Sequence, residues 1–151
     1  MSTLYYTLDN TVFRNFSFYA VASILKMMIM SPLTVRQRFR KNAFANPEDI
    51  QQQNRKTIQA TTSDSDVERV RRNHLNDVEN IIPFVLIGFG YIACNPNPTL
   101  AVWHFRIFFV SRLLHTFAYQ IPLRQPSRAI TCMIGGIATI SMAIQILLQV
   151  Y

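Results

Sequence analysis

The chain has 151 residues, of which 50% are hydrophobic and only 15% charged, where an average soluble domain carries about 25% charged residues. Fifteen Lys and Arg against eight Asp and Glu leave a formal net charge of +7. That length holds one domain or one small bundle, and the composition excludes disorder and a highly charged soluble helical surface. Mean hydropathy is only +0.14 because one polar stretch dilutes four apolar windows.

In chain order, the first window is NFSFYAVASILKMMIMSPLTV, residues 15–35, with Lys26 as its single charge. It predicts a membrane span over about residues 12–35. A basic leader region and a small-residue cleavage site are missing ahead of it, so the span is expected to be a retained signal-anchor. Asn15-Phe16-Ser17 fits a glycosylation sequon but sits at the membrane edge, where it is expected to go unused. Residues 36–69 are polar and aromatic-poor and predict a loop with partial helix, too polar for a soluble binding domain. The run IIPFVLIGFGYIAC, residues 81–94, is uncharged but short. Extending it back through HLNDVEN gives a second span over about 70–94. NPNPT, residues 95–99, is a tight turn, so spans two and three form a helical hairpin. The third span, about 100–121, is apolar except for His104, Arg106, Arg112 and His115. The fourth, about 127–148, contains AITCMIGGIATISMAIQILL without a single charge, matching the ~30 Å hydrocarbon core. Ser127 is its expected N-cap. The reading is one domain over residues 1–151, an all-α integral membrane four-helix bundle.

The distribution of Lys and Arg sets an orientation. One side of such a bundle holds Arg36, Arg38, Arg40, Lys41, Arg55, Lys56, Arg69, Arg71, Arg72, Arg124 and Arg128; the other holds Arg14. The basic side is expected to face the cytosol, so the positive charge reports topology and no nucleic-acid partner. Cys94 and Cys132 lack metal spacing and disulfide density and read as packing residues. Three separated histidines without a cysteine partner argue against a metal.

Polar residues inside the spans carry the functional signal, since each Arg or Asp at a helix centre costs about 2.5–3.5 kcal/mol on insertion. In span two, Arg69, Arg72, Asn76 and Glu79 fall on one helical stripe, followed by Pro83, which leaves the Glu79 carbonyl free or kinks the helix. In span three, His104, Phe108, Arg112, His115 and Tyr119 form a second stripe. Lys26 and Asp77 lie at matching depth and read as a structural ion pair. Arg106 points away from the second stripe and either snorkels or meets another subunit, and His104 reads as a bundle histidine. Arg128 stands in the first turn of span four, where a cation opposes the helix dipole unless an anion is held there. Arg38, Arg72, Arg112 and Arg128 share one depth and exceed what Glu79 neutralises. They predict a small anionic ligand that also carries a cationic group for Glu79.

The segments KNAFANPEDI, VERVRRNHLNDVENIIPF and HFRIFFVSRLLHTFAYQIPLRQPSRA, with KMMIMS in span one, are together recognisable. The chain resembles the MAPEG superfamily, the membrane-associated proteins in eicosanoid and glutathione metabolism. Within it the chain is most similar to the type-one microsomal glutathione transferases, with the microsomal prostaglandin E synthases as the near branch. The resemblance implies a homotrimer with glutathione as co-substrate, bound between subunits on the cytosolic side. It implies that Arg38, Arg71, Arg72, His74, Asn76, Glu79, Arg112, His115 and Tyr119 line that site, and that Arg128 stabilises the glutathione thiolate. It further implies conjugation of hydrophobic electrophiles and peroxidase action on lipid hydroperoxides reached from the bilayer. The implied location is the endoplasmic reticulum membrane, with the mitochondrial outer membrane as a second possibility. Prostaglandin E synthase and a non-enzymatic lipid-presenting scaffold are the alternatives. Ala129 stands where the synthases typically have Ser, which favours the transferase, whereas NPNP resembles the synthases. Ile50 replaces a Cys often found after ANPED in vertebrate transferases, so activation by thiol reagents at that place is not expected.

Overall fold

Asn10 opens the first helix: its side chain accepts hydrogen bonds from the amides of Val12 at 2.8 Å and Phe13 at 3.3 Å, the expected behaviour of an N-cap. In this computed structural model, which describes residues 5–51 and 59–151, that helix is α1, Thr11–Lys41. It continues through Pro32 and beyond the apolar window. Arg38, Arg40 and Lys41 occupy its last turn, where cations complement the carbonyl end of the dipole. Asn42, in the left-handed region at φ 53°, then stops it, and the amide of Ala43 closes back on the Arg38 carbonyl at 3.0 Å. The partial helix expected in the polar stretch includes the end of α1, because polarity alone does not end a helix. Arg55 and Lys56 lie outside the described residues.

A short helix α2, Pro47–Gln51, follows. Asp64 caps α3, Ser65–Ala93, accepting from the amides of Asp66 and Val67. Asn97 caps α4, Pro98–Gln120, with Pro98 in its first turn, where a missing N–H costs nothing. The last helix is α5, Ser127–Val150. Three of the four long helices, α1, α3 and α5, are long and apolar enough to cross a membrane. The 23 residues of α4 extend about 35 Å. Its outer face exposes Trp103, Val110, Leu114 and Phe117, and that of α5 exposes Met133, Ile137 and Ile140. So much outward apolar surface suits lipid and not water. The architecture is an all-α membrane bundle of four long helices.

The core is aromatic. Phe84 stacks on Phe108 with centroids 3.8 Å apart, and Phe16 meets Phe105 edge-on at 5.5 Å. Ile81, Tyr91 and Met142 complete the buried centre. Up-and-down order brings the C-termini of α1 and α4 and the N-termini of α3 and α5 to one end. There Lys41 and Arg69 both pair with Asp66, and Arg40, Gln37 and Gln120 border the same polar pocket.

The inward face of α3 differs from the stripe read in the sequence. Val67, Val70, Asn73, Asp77, Ile81, Phe84 and Gly88 are buried, whereas Arg72 and Glu79 are exposed. Apolar bulk chooses the face: Val70, Ile81 and Phe84 turn inward and carry the polar stripe to the flank. Lys26 on α1 bonds to Asp77 across the α1–α3 contact.

A close approach depends on Gly88, whose added Cβ would collide with the Phe16 ring. Gly88→Ala should destabilise the purified protein by about 1–3 kcal/mol, the usual cost of overpacking, measured as a lower unfolding temperature in detergent. Adding Phe16→Leu should recover much of the loss; strict additivity of the two effects would contradict this packing account.

Candidate functional site

The basic half of the bundle encloses a polar cluster built by α3, α4 and α5. The inner face of α4 runs Ala101, His104, Phe105, Phe108, Ser111, Arg112, His115 and Ala118, a helical stripe that carries Arg112 inward with its apolar neighbours. Arg112 is only 1% exposed. Its Nη1 donates to Asn76 Oδ1 at 2.9 Å. Its Nε and Nη2 are buried without a hydrogen-bond partner among the described residues. A buried guanidinium so incompletely satisfied is costly, and an anion is the group that would satisfy it.

Asn76 is half-buried and connects α3 to both other helices. Beside its bond from Arg112, its side-chain oxygen and nitrogen each lie 3.9 Å from Cys132 Sγ on α5. Asn80 Oδ1 lies at the same distance from that sulfur.

His115 Nδ1 lies 3.0 Å from the Arg128 carbonyl and 3.1 Å from Thr131 Oγ1. A carbonyl only accepts, so Nδ1 is assigned the hydrogen and Nε2 is left as an acceptor in the neutral ring. Nε2 is buried without a partner among the described residues. The Arg128 guanidinium lies over the Tyr119 ring, 4.9 Å from its centroid, a cation–π contact that fixes its direction. Its Nε is also buried and unpartnered among the described residues.

The start of α5 corrects one reading. Pro126, and not Ser127, occupies the N-cap position, and no side chain among the described residues caps the helix. Ser127 Oγ instead donates to the Arg124 carbonyl at 2.7 Å. The Ser127 amide donates to the Arg124 carbonyl at 3.3 Å. Because Pro126 offers no side-chain acceptor, the next amides of α5 keep their capacity to bind an anion.

Of the residues the sequence singled out, the structure brings Asn76, Arg112, His115, Tyr119 and Arg128 into one cluster. The others lie apart from it in this chain. Arg38 Nη1 donates to the Ala43 carbonyl at 3.3 Å, and Arg71 pairs with Glu68 at 2.9 Å on the surface. Arg72 and Glu79 are exposed and His74 is half-buried. His104 meets Ser141 Oγ at 2.9 Å. Arg106, read as snorkelling or meeting another subunit, bonds to the Tyr19 hydroxyl at 3.1 Å and lies over Trp103. Cys132 and Thr131 were not singled out as site residues. Their signal was the helical offset of three and four residues from Arg128, which places them on its face of α5.

Next to the cluster, an apolar groove of about 740 Å³ opens between α1, α4 and α5, lined by Phe18, Trp103, Ile107, Val110, Leu114 and Ile134. Ser111 and Thr131 belong to its wall, and Thr131 also touches His115. An apolar molecule in this groove therefore lies one side chain away from the cationic cluster.

Comparison with known proteins adds independent findings. Residues 16–148 match the MAPEG family. The chain is 45% identical to human (Homo sapiens) microsomal glutathione S-transferase 1 over 151 residues, covering 97% of this chain and 96% of the relative. The rat (Rattus norvegicus) protein of the same name is 44% identical over the same shares. Human prostaglandin E synthase is 44% identical over 124 residues, covering 82% of this chain and 80% of the relative.

The Lys26–Asp77 pair supports the cluster from behind, with Lys26 side chain 10% exposed and Asp77 fully buried. Lys26→Met should destabilise the protein by about 3–5 kcal/mol by leaving a buried carboxylate unpaired. Lys26→Met with Asp77→Leu should restore most of that loss. Thermal unfolding in detergent measures both, and a double variant as unstable as the single one would contradict the assignment.

Proposed function

The chain belongs to the MAPEG family, and we propose that it is a membrane-bound glutathione transferase. It activates glutathione as a thiolate for conjugation to hydrophobic electrophiles and for reduction of lipid hydroperoxides. The observation that carries this reading is the convergence of Arg112 and Arg128, both with buried nitrogens unpartnered among the described residues, beside the start of α5, which has no side-chain cap among them. Two carboxylates, one ammonium and one thiol make glutathione a ligand of the kind such a cluster selects. The relatives named as glutathione transferases match nearly end to end.

In this reading, each group acts by its position. Arg112, held by Asn76, receives a carboxylate in charge-assisted hydrogen bonds. His115 offers Nε2 as an acceptor, and Tyr119 orients Arg128 by stacking. A free thiol of pKa about 8.5 is mostly protonated at neutral pH. Arg128 and the N-terminal amides of α5 favour its ionised form. The thiolate then attacks an electrophilic carbon presented from the apolar groove and displaces its leaving group. With a hydroperoxide there it attacks an oxygen instead, breaking the O–O bond and releasing the alcohol. A second glutathione then converts the resulting sulfenic acid to glutathione disulfide and water. The chain needs no metal and no nucleophile of its own for this step.

The proposed assembly is a homotrimer. Arg72 and Glu79 share the outer face of α3 with exposed Leu75, Ile82 and Leu86. Charges at membrane depth normally face protein or a cavity, so a neighbouring subunit on this face supports the reading. It would bring Arg72 and Glu79 toward the cluster of the adjoining chain, with Glu79 meeting the ammonium group. Arg71 and His74 lie off this face, and with Arg38 they serve a site between subunits in which α3 presents two faces. The basic end faces the cytosol by the charge rule. The endoplasmic reticulum is the proposed membrane, and the mitochondrial outer membrane presents the same cytosolic face.

A second reading, glutathione-dependent prostaglandin E synthase, is favoured by the 44% identity to the human synthase. Conjugation of a chromogenic electrophile, measured beside isomerisation of prostaglandin H, separates the two; neither activity would leave a lipid-presenting scaffold. Arg128→Ala should lower conjugation turnover about 10²–10³-fold while glutathione affinity changes little, and unchanged turnover would contradict its role. Glu79→Gln should weaken glutathione binding about 10–100-fold, and unchanged affinity by calorimetry would make Glu79 a helix tie only.

A further inference from the structure

We propose that Cys132 is a site of reversible thiolation by glutathione disulfide, and that the resulting mixed disulfide closes the catalytic site. The inference rests on the glutathione reading above and adds a redox control to the same site.

Cys132 follows Arg128 by four residues, so the two side chains share a face of α5 one turn apart. Its thiol is half-buried and lies 3.9 Å from Asn76 Oδ1. That same oxygen accepts the Arg112 guanidinium at 2.9 Å. Thiol and guanidinium therefore converge on one atom, and Arg112, 1% exposed, still has Nε and Nη2 without partners among the described residues. These cations attract the carboxylates of a glutathione moiety, and bound there it brings its sulfur into the neighbourhood of Cys132. Among the described residues nothing comparable surrounds Cys94, which sits at the C-terminus of α3. Eighteen residues of helix separate it from Asn76, or about 27 Å, at the end of the bundle away from the basic cluster.

The exchange balances with glutathione disulfide as its only co-reactant. The Cys132 thiolate attacks one sulfur, a new S–S bond forms as the old one breaks, and glutathione leaves as a thiolate. Cys132 is oxidised, one half of the disulfide is reduced, and the proton of the original thiol passes to solvent. The retained glutathionyl group then occupies the place of the substrate. Excess reduced glutathione reverses the step by the same chemistry. The consequence is an enzyme that slows as the thiol pool becomes oxidised and recovers with it.

The full chain, purified in detergent, is incubated with glutathione disulfide and followed by intact mass, peptide mapping and conjugation activity. One glutathionyl group should appear on Cys132, about tenfold or more faster than on Cys94, through electrostatic attraction of the dianionic disulfide. S-hexylglutathione, which cannot exchange, should protect Cys132 and leave Cys94 unaffected. Activity should fall in step with the mass change and return with reduced thiol, and Cys132→Ser should escape both the modification and the fall relative to its own untreated rate. Equal labelling of the two cysteines, no protection, or full activity in a stoichiometrically modified chain would overturn the proposal. Conjugation measured before oxidation tests the transferase reading by itself, so an active chain whose Cys132 stays unmodified overturns thiolation alone.

Discussion

A guanidinium buried inside a membrane bundle is the constraint on which the rest of the structure turns. Arg112 has one hydrogen bond, to Asn76, and two further nitrogens without partners among the described residues. Removing a charge from water is expensive, and attraction repays the cost only when the remaining donors are satisfied. The neighbouring elements are arranged around that debt. Asn76 on α3 steadies one side of the guanidinium, Lys26 and Asp77 neutralise each other behind it, and α5 begins with an uncapped turn and a second arginine. An arrangement with surplus positive charge and open amides is poor for stability alone. It becomes favourable with an anion in place, which is why the cluster is proposed as the glutathione site.

The fold positions this cluster through its helix ends. Four long helices alternate direction, and their basic termini collect at one end of the bundle. Cations suit the C-terminal turn of α1, where Arg38, Arg40 and Lys41 stand, and oppose the N-terminal turn of α5, where Arg128 stands. The unfavourable placement of Arg128 is what gives weight to its proposed role with an anion. On the outside, the apolar groove between α1, α4 and α5 reaches the same cluster through Thr131. Lipid-soluble and water-soluble reactants thus have separate approaches to one place in the proposed mechanism.

Much of the fold was legible in the sequence, because hydrocarbon thickness imposes a length on uncharged runs. The run from Ala129 to Leu148 has no charge, and the Pro-Asn turn at 95–99 marks a hairpin without any packing information. Helix ends were less legible. The stretch from Arg36 onward read as loop with partial helix, without a boundary between the two; the stop comes at Asn42, whose left-handed φ of 53° the sequence merely permits. At the candidate site, the residue types were legible and their division between faces was not. Periodicity groups Arg72, Asn76 and Glu79, yet the burial of Val70, Ile81 and Phe84 rotates Arg72 and Glu79 outward. Cys132 read as a packing residue because its contact with Asn76, between residues 56 apart, depends on how α3 crosses α5. Ser127 read as a cap by residue type, while the local turn gives its hydroxyl to Arg124.

The most direct test replaces Arg112 by Met, which keeps much of the side-chain length and removes the charge. Thermal unfolding of the wild type and of Arg112→Met is followed in detergent across a glutathione titration. An anion site predicts that the variant without glutathione is as stable as the wild type or more so, and that the stabilisation glutathione gives the wild type disappears. A variant that unfolds far earlier without ligand, yet still gains the full stabilisation from glutathione, would make Arg112 a helix tie and contradict the account.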